Sequence, residues 1–171
     1  ADRPASAAAP TAGLHLTDEV LDACRAAGAR VERLELVVGL DTFRPVTVDD
    51  LDDHEMHSEA FSVPDATFEA CVSAERVIAV GTTTVRALEA AARGDQEGRT
   101  DLFIRRPFDF RVVDVLLTNY HLPGSTLLVL LDAFAGPRWR QLYATALAEG
   151  YRFLSFGDAM LVARDRQGGA S

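Results

Sequence analysis

The sequence predicts an α/β fold with a mainly parallel sheet flanked by helices and an antiparallel edge hairpin. Three observations predict it. Short apolar runs rich in β-branched residues alternate with stretches of helical spacing along most of the chain. One such run, residues 77–80, has the composition of a strand buried on both faces; it stops at Gly81 and passes through Thr82, Thr83 and Thr84 into a helical pattern. Near the end, residues 151–156 and 159–163 flank Gly157-Asp158, the layout of a hairpin.

The whole of 1–171 reads as one α/β domain with a lead-in loop over 1–13 and a frayed tail over 164–171. A helix begins after Thr17, with Asp18 and Glu19 suiting its dipole, Val20, Leu21, Cys24 and Ala27 as its buried face, and Gly28 as its stop. Residues 30–39 read as a covered strand, 41–46 as a loop and 48–53 as an acidic turn. A strand with a polar start is expected over 54–63, then a helix over 65–73 behind Pro64, with Phe68, Cys71 and Val72 inward. After 77–80 the threonines offer capping hydroxyls, and Val85, Leu88 and Ala92 form the stripe that lies back on the sheet. Residues 93–100 read as an exposed loop, 102–104 and 111–117 as strands, 118–126 as a polar loop, and 127–135 and 138–149 as helices.

Composition narrows the functional classes. With 48% hydrophobic and 25% charged residues the chain is globular, and no run approaches the ~18 apolar residues of a membrane span. No basic segment followed by an apolar one opens the sequence, and Cys24 and Cys71 lack CxxC spacing, so reduced thiols in the cytoplasm are expected. A net charge of −9 opposes general affinity for nucleic acid. Any such contact must be local, at Arg105-Arg106 or at Arg138 and Arg140 around a tryptophan.

Strand, glycine turn and helix start place free backbone N–H groups at the carboxyl edge of a sheet, where open α/β proteins bind anionic ligands. The turn is neither a Walker loop nor a GxGxxG motif, and an ordinary helix cap is the competing reading. His57 and Glu59, two apart, would share a strand face as a proton-transferring pair. His54 and His57 lack a third ligand, so no metal is expected. Asn119, His121, Ser125 and Thr126 gather around Pro123, with Ser125 also a natural helix cap. Without GxSxG or a Cys/His elbow, covalent hydrolysis is disfavoured.

Six ordered segments carry a resemblance: Pro10-Thr-Ala-Gly-Leu-His15, Thr42-Phe-Arg-Pro-Val46, His54-Glu-Met-His-Ser-Glu59, Ile78-Ala-Val-Gly-Thr-Thr-Thr-Val-Arg86, Thr118-Asn-Tyr-His-Leu-Pro123 with Ser125-Thr-Leu127, and Phe156-Gly-Asp-Ala-Met160. Together they resemble the C-terminal half of the S-adenosylmethionine:tRNA ribosyltransferase-isomerase family of queuosine biosynthesis. The resemblance implies transfer and isomerisation of the ribosyl part of S-adenosylmethionine onto the 7-aminomethyl-7-deazaguanine base of tRNA, giving epoxyqueuosine. S-adenosylmethionine is then the cosubstrate, and an N-terminal half or a partner chain would complete the unit. His57, Glu59 and His121 become the implied proton-transfer residues. Thr11, His15, Gly81, Thr82, Thr83, Thr84, Arg86, Asn119, Ser125, Thr126 and Asp158 become the implied substrate-binding residues, with Arg86 and the threonines at the methionine carboxylate or ribose hydroxyls.

The sequence departs from the family pattern at Val37 and Asp41, in place of a His and a Gly, at Gly124 in place of a Lys, and around Arg105-Arg-Pro-Phe108. These departures leave two alternatives, a paralogue acting on a small molecule and a non-catalytic module that binds S-adenosylmethionine or another nucleoside.

Overall fold

A computed structural model describes residue 6 and residues 8–39, 46–48 and 50–165. The expected loop at 41–45, with Asp41, and also Asp49, the first five residues and the tail from 166 lie outside the described residues.

Among the described residues, two three-stranded sheets share helices between and beside them. The first pairs β1 (Glu35–Val37), β2 (Glu59–Ser62) and β4 (Glu97–Thr100) in the order β1-β2-β4, antiparallel throughout. The second runs β3 (Ile78–Val80), β5 (Val115–Asn119), β6 (Ala159–Ala163), with β3 parallel to β5 and β6 antiparallel to it. The expected mainly parallel sheet is therefore corrected to a mixed α/β fold, with β3 and β5 the one parallel pair among the described strands.

The expected hairpin is corrected too. Residues Leu154–Phe156 form a 3₁₀ turn, and β6 pairs with β5 instead of with the segment before it. The Leu117↔Leu161 register brings the chain's last strand back beside residues about 44 positions earlier, a long-range pairing that local spacing does not encode.

Among the described residues, five α-helices complete the fold. Thr17 caps α1 (Asp18–Ala26) by accepting from the Val20 amide, but none of the helix is buried and Val20 is 41% exposed, so its expected inner face is uncovered. Helix α2 (Asp65–Ser73) has the expected ends yet turns Thr67 and Ala70 inward and leaves Val72 exposed. The Thr67 hydroxyl donates to the Arg33 carbonyl (3.1 Å), which fixes that rotation.

Helix α3 (Thr82–Ala91) packs against both sheets and is the pivot of the molecule. Its Val85, Ala87, Leu88 and Ala91 are buried. Helices α4 (Thr126–Ala135) and α5 (Trp139–Ala148) follow; Ser125 caps α4 by accepting from the Leu128 amide at 3.2 Å. Phe134, fully buried, meets Phe110 edge-on at 5.0 Å between centroids, a contact whose truncation to alanine costs about 3–5 kcal/mol.

Three further expectations shift. The loop foreseen over 93–100 carries β4, residues 102–104 are not a strand, and the strand foreseen over 111–117 starts at Val115. The third has a clear cause. The amides of Arg111, Val112 and Val113 donate to the Glu89 carboxylate (2.9, 3.0 and 3.1 Å) instead of joining a sheet.

Candidate functional site

The centre of the candidate site is where α3 begins. Gly81 takes φ 92°, a conformation costly for a residue with a Cβ, and its amide donates to the Leu117 carbonyl at 2.8 Å, locking the turn to β5. The threonines lie inside the helix and do not cap it. Thr84 spends its hydroxyl on the Val80 carbonyl (2.7 Å), whereas Thr82 and Thr83 face a cleft. Met56, Arg86, Leu102, Phe103, Ile104 and Thr126 are among the other residues lining that cleft.

Behind the cleft runs a buried chain of charge. Glu59, on an inward position of β2, forms an ion pair with Arg86 of α3 through Oε2 and Nη1, and both side chains are at most 5% exposed. Arg86 also donates to the carbonyls of Leu102 (3.2 Å) and Thr100 (3.4 Å). Burial pulls its pKa down while the Glu59 carboxylate opposes that shift. The other oxygen of Glu59 is 3.3 Å from His57 Nε2 and accepts from the Gly39 amide at 3.3 Å.

The expected His57 and Glu59 pair is thus brought together, although His57 precedes the strand. An arginine already engaged by Glu59 and two carbonyls is, in the first place, what orients that carboxylate.

A second group of expected residues meets on the other side of the Gly81 turn. Thr11, in the 3₁₀ turn Thr11–Gly13, donates to Asn119 Oδ1 (3.0 Å), and Asn119 Nδ2 donates to the Asp158 carbonyl (3.1 Å). His15 Nε2 contacts the Gly157 carbonyl. The Asp158 carboxylate accepts from the Arg152 amide at 2.5 Å, the main reason its pKa lies below the usual range. This knot ties the lead-in segment to the carboxyl end of β5 and the start of β6, with Ala12 buried near the Gly81 Cα.

His121 is placed differently. Buried beside Tyr143 and Thr118, it donates its amide to the Tyr143 hydroxyl (2.7 Å) and sets Nε2 2.9 Å from Thr118 Oγ1. Burial lowers its pKa to about 4 and raises that of Tyr143 to about 12, so both are neutral at pH 7. Ser125 is spent on its helix cap and on the Leu122 carbonyl (2.7 Å).

Of the basic residues, Arg106 and Arg140 reach Asp132 from two sides (3.8 and 3.6 Å), and Arg105 pairs with Asp52. Arg138 donates to the Ala163 carbonyl.

Sequence reasoning missed Glu89, which is fully buried and holds three backbone amides as well as Arg93 (2.8 Å). A carboxylate on the apolar face of a helix was the available signal. It also missed Phe103 and Ile104 as cleft wall, because an apolar segment without regular pairing is indistinguishable in sequence from a strand. Among the described residues, no helix is long and apolar enough to cross a membrane, and no three His, Cys, Asp or Glu side chains are grouped to share a metal ion.

Comparisons with known proteins agree on one family. The queuosine biosynthesis protein family matches residues 1–162. S-adenosylmethionine:tRNA ribosyltransferase-isomerase from Rubrobacter xylanophilus is 55% identical over 161 residues, covering 93% of this chain and 48% of the relative. The protein of the same name from Thermus thermophilus is 53% identical over 172 residues, covering 95% of this chain and 50% of its own length.

A crystal structure of S-adenosylmethionine tRNA ribosyltransferase from Thermotoga maritima aligns with a TM-score of 0.72 at 41% identity, over 88% of this chain and 50% of that one. The chain spans about half the length of the curated relatives it matches. With the family match running over nearly every residue that builds the cleft and the knot, the chain belongs to the queuosine biosynthesis protein family.

Proposed function

We propose that this chain supplies the S-adenosylmethionine-binding part of a tRNA ribosyltransferase-isomerase that acts in the cytoplasm on the 7-aminomethyl-7-deazaguanine base during queuosine synthesis. The reading rests on one observation. Three widely separated segments, at Met56, at Thr82, Thr83 and Arg86, and at Thr126, meet at one cleft at the head of α3, with Glu59 paired to Arg86 behind it and His57 3.3 Å from Glu59.

The reaction needs a group to move a proton beside the sulfonium, a group to assist departure of adenine, and walls that keep water from the opened sugar. His57, 17% exposed and steered by Glu59, is the proton-transfer residue in this scheme. Glu59 is held in place by Arg86 and so stays aimed at His57. Thr82 and Thr83 offer hydroxyls and the α3 start offers backbone N–H groups to ribose oxygens or to the methionine carboxylate. Leu102, Phe103 and Ile104 supply the apolar wall. His121, neutral and buried, positions the loop after β5 through Tyr143 and Thr118. Arg106 and Arg140, drawn together at Asp132, form the local cationic patch for tRNA phosphates, with Arg105 beside it.

Adenine release from S-adenosylmethionine, followed by chromatography, tests the reading in the chain completed with the unmatched half of a relative. Release that requires the aminomethyl-bearing tRNA and falls about 100-fold or more in His57→Ala supports it. Release without tRNA assigns a small-molecule acceptor, and binding without release in any combination assigns a nucleoside-binding module.

A further inference from the structure

We infer that the outer face of the β3-β5-β6 sheet is the seat of the half of the family chain that this chain does not span. The inference rests on the family membership and not on the activity proposed above.

Register sorts the side chains of this sheet into two sets. Ala79, Leu116 and Val162 share one face and are at most 4% exposed, facing the core with α3 and α4. Ile78, Val115 and Ala163 share the other face, as do Val80, Leu117 and Leu161. That second face is as apolar as the first, yet Ile78 is 54% and Leu161 64% exposed.

A sheet with a parallel pair and apolar residues on both sides is one that proteins cover on both sides. Among the described residues, the buried side chains of α3 and α4 cluster with Ala79, Leu116 and Val162 on the inner side. Leu14 (68%) and Phe156 (70%), next in sequence to the contacting His15 and Gly157, are exposed too. Exposed apolar side chains gathered on one sheet face mark an interface rather than a solvent face.

Two observations identify the occupant. The lead-in turn Thr11–Gly13 already lies on this side, since a Cβ on Gly13 would be 3.7 Å from Val80 Cγ1, and Thr11 is bonded to Asn119 at the strand's end. The relatives carry about as much chain again as the part matched here, enough to cover a sheet face. A second copy of this chain would instead meet face to face with the lead-in turns in the way.

The test uses thiol labelling read residue by residue by peptide mass spectrometry. Leu161→Cys reports the face, and Leu147→Cys, 66% exposed on α5, is the reference. Rates are compared between this chain alone and this chain completed with the unmatched half of the Rubrobacter xylanophilus relative, in the relatives' order. The expected result is that the ratio of the Leu161→Cys rate to the Leu147→Cys rate falls at least tenfold on completion. An unchanged ratio overturns the inference. So does protection of Leu161→Cys in the chain alone that grows with concentration alongside a dimer mass, which assigns the face to a second copy.

Discussion

Removing Glu59 tests whether its pairing with Arg86 is the strut of the cleft. The Glu59 and Arg86 side chains are 1% and 5% exposed, and without the carboxylate the guanidinium keeps, among the described residues, the carbonyls of Leu102 and Thr100, at 3.2 and 3.4 Å, and the weaker pull of Asp101. An uncompensated charge in such a place costs about 3–5 kcal/mol. That is a large part of the ~5–15 kcal/mol by which domains are stable.

Glu59→Ala and Arg86→Ala should therefore each lower the urea-denaturation free energy by about that amount at constant slope. Removing both charges with apolar residues of similar volume, Glu59→Leu with Arg86→Met, should recover most of the loss, because the desolvation cost vanishes with the pair. The measured coupling should then be several kcal/mol in a double-mutant cycle. Single variants costing under about 1 kcal/mol, the size of an exposed pair, would refute the reasoning. A double variant as unstable as the sum of the singles would do the same.

Glu89→Gln should destabilise the chain by about 3 kcal/mol, because its new amide hydrogens face the N–H groups of residues 111–113; a urea midpoint within error of the parent would contradict this. His121 binds a proton near pH 6.5 when unfolded but only near 4 when folded, so its burial stabilises fully above the first value and less as pH falls towards the second. Between pH 7 and pH 5 this should remove about 2 kcal/mol of stability, and His121→Gln should flatten the dependence. Gly136→Ala should cost about 1–3 kcal/mol or more, since φ is 63° and the new Cβ would sit 2.0 Å from Asp165 Oδ2; thermal unfolding reads the loss.

How legible the molecule was depends on how local each feature's cause is. Helices α2, α4 and α5 were readable to within a residue or so because Pro64, Ser125 and Gly150 mark their ends and their apolar spacing is self-contained. Strand β4 was not, since Glu97-Gly-Arg-Thr100 is held by pairing with β2 and has almost no apolar content. The parallel expectation failed for a similar reason. Alternating strands and helices suggest crossovers, but nothing in the spacing says that β6 returns antiparallel or that β1, β2 and β4 form a sheet of their own.

Ile78 was read as buried on both faces from composition, and its exposure records the bare side of the sheet. At the site, the residue types and the His57 and Glu59 pairing were visible, and the longer-range alliances were not. Glu59 and Arg86, 27 positions apart, read as a base and a ligand anchor, and the structure pairs them with each other. Likewise Asn119 and Thr11, 108 apart, read as ligand groups and are bonded to each other.

The central claim is that S-adenosylmethionine sits at the head of α3, and an amide-resolved NMR titration of the chain with this compound addresses it most directly. Saturable shifts at Thr82 and Thr83, at Met56 and His57, and at Leu102 to Ile104 are the predicted outcome. Shifts confined to the acidic turn at Leu51–Asp53, or to α5, with the Gly81 to Thr83 amides unmoved, would contradict it.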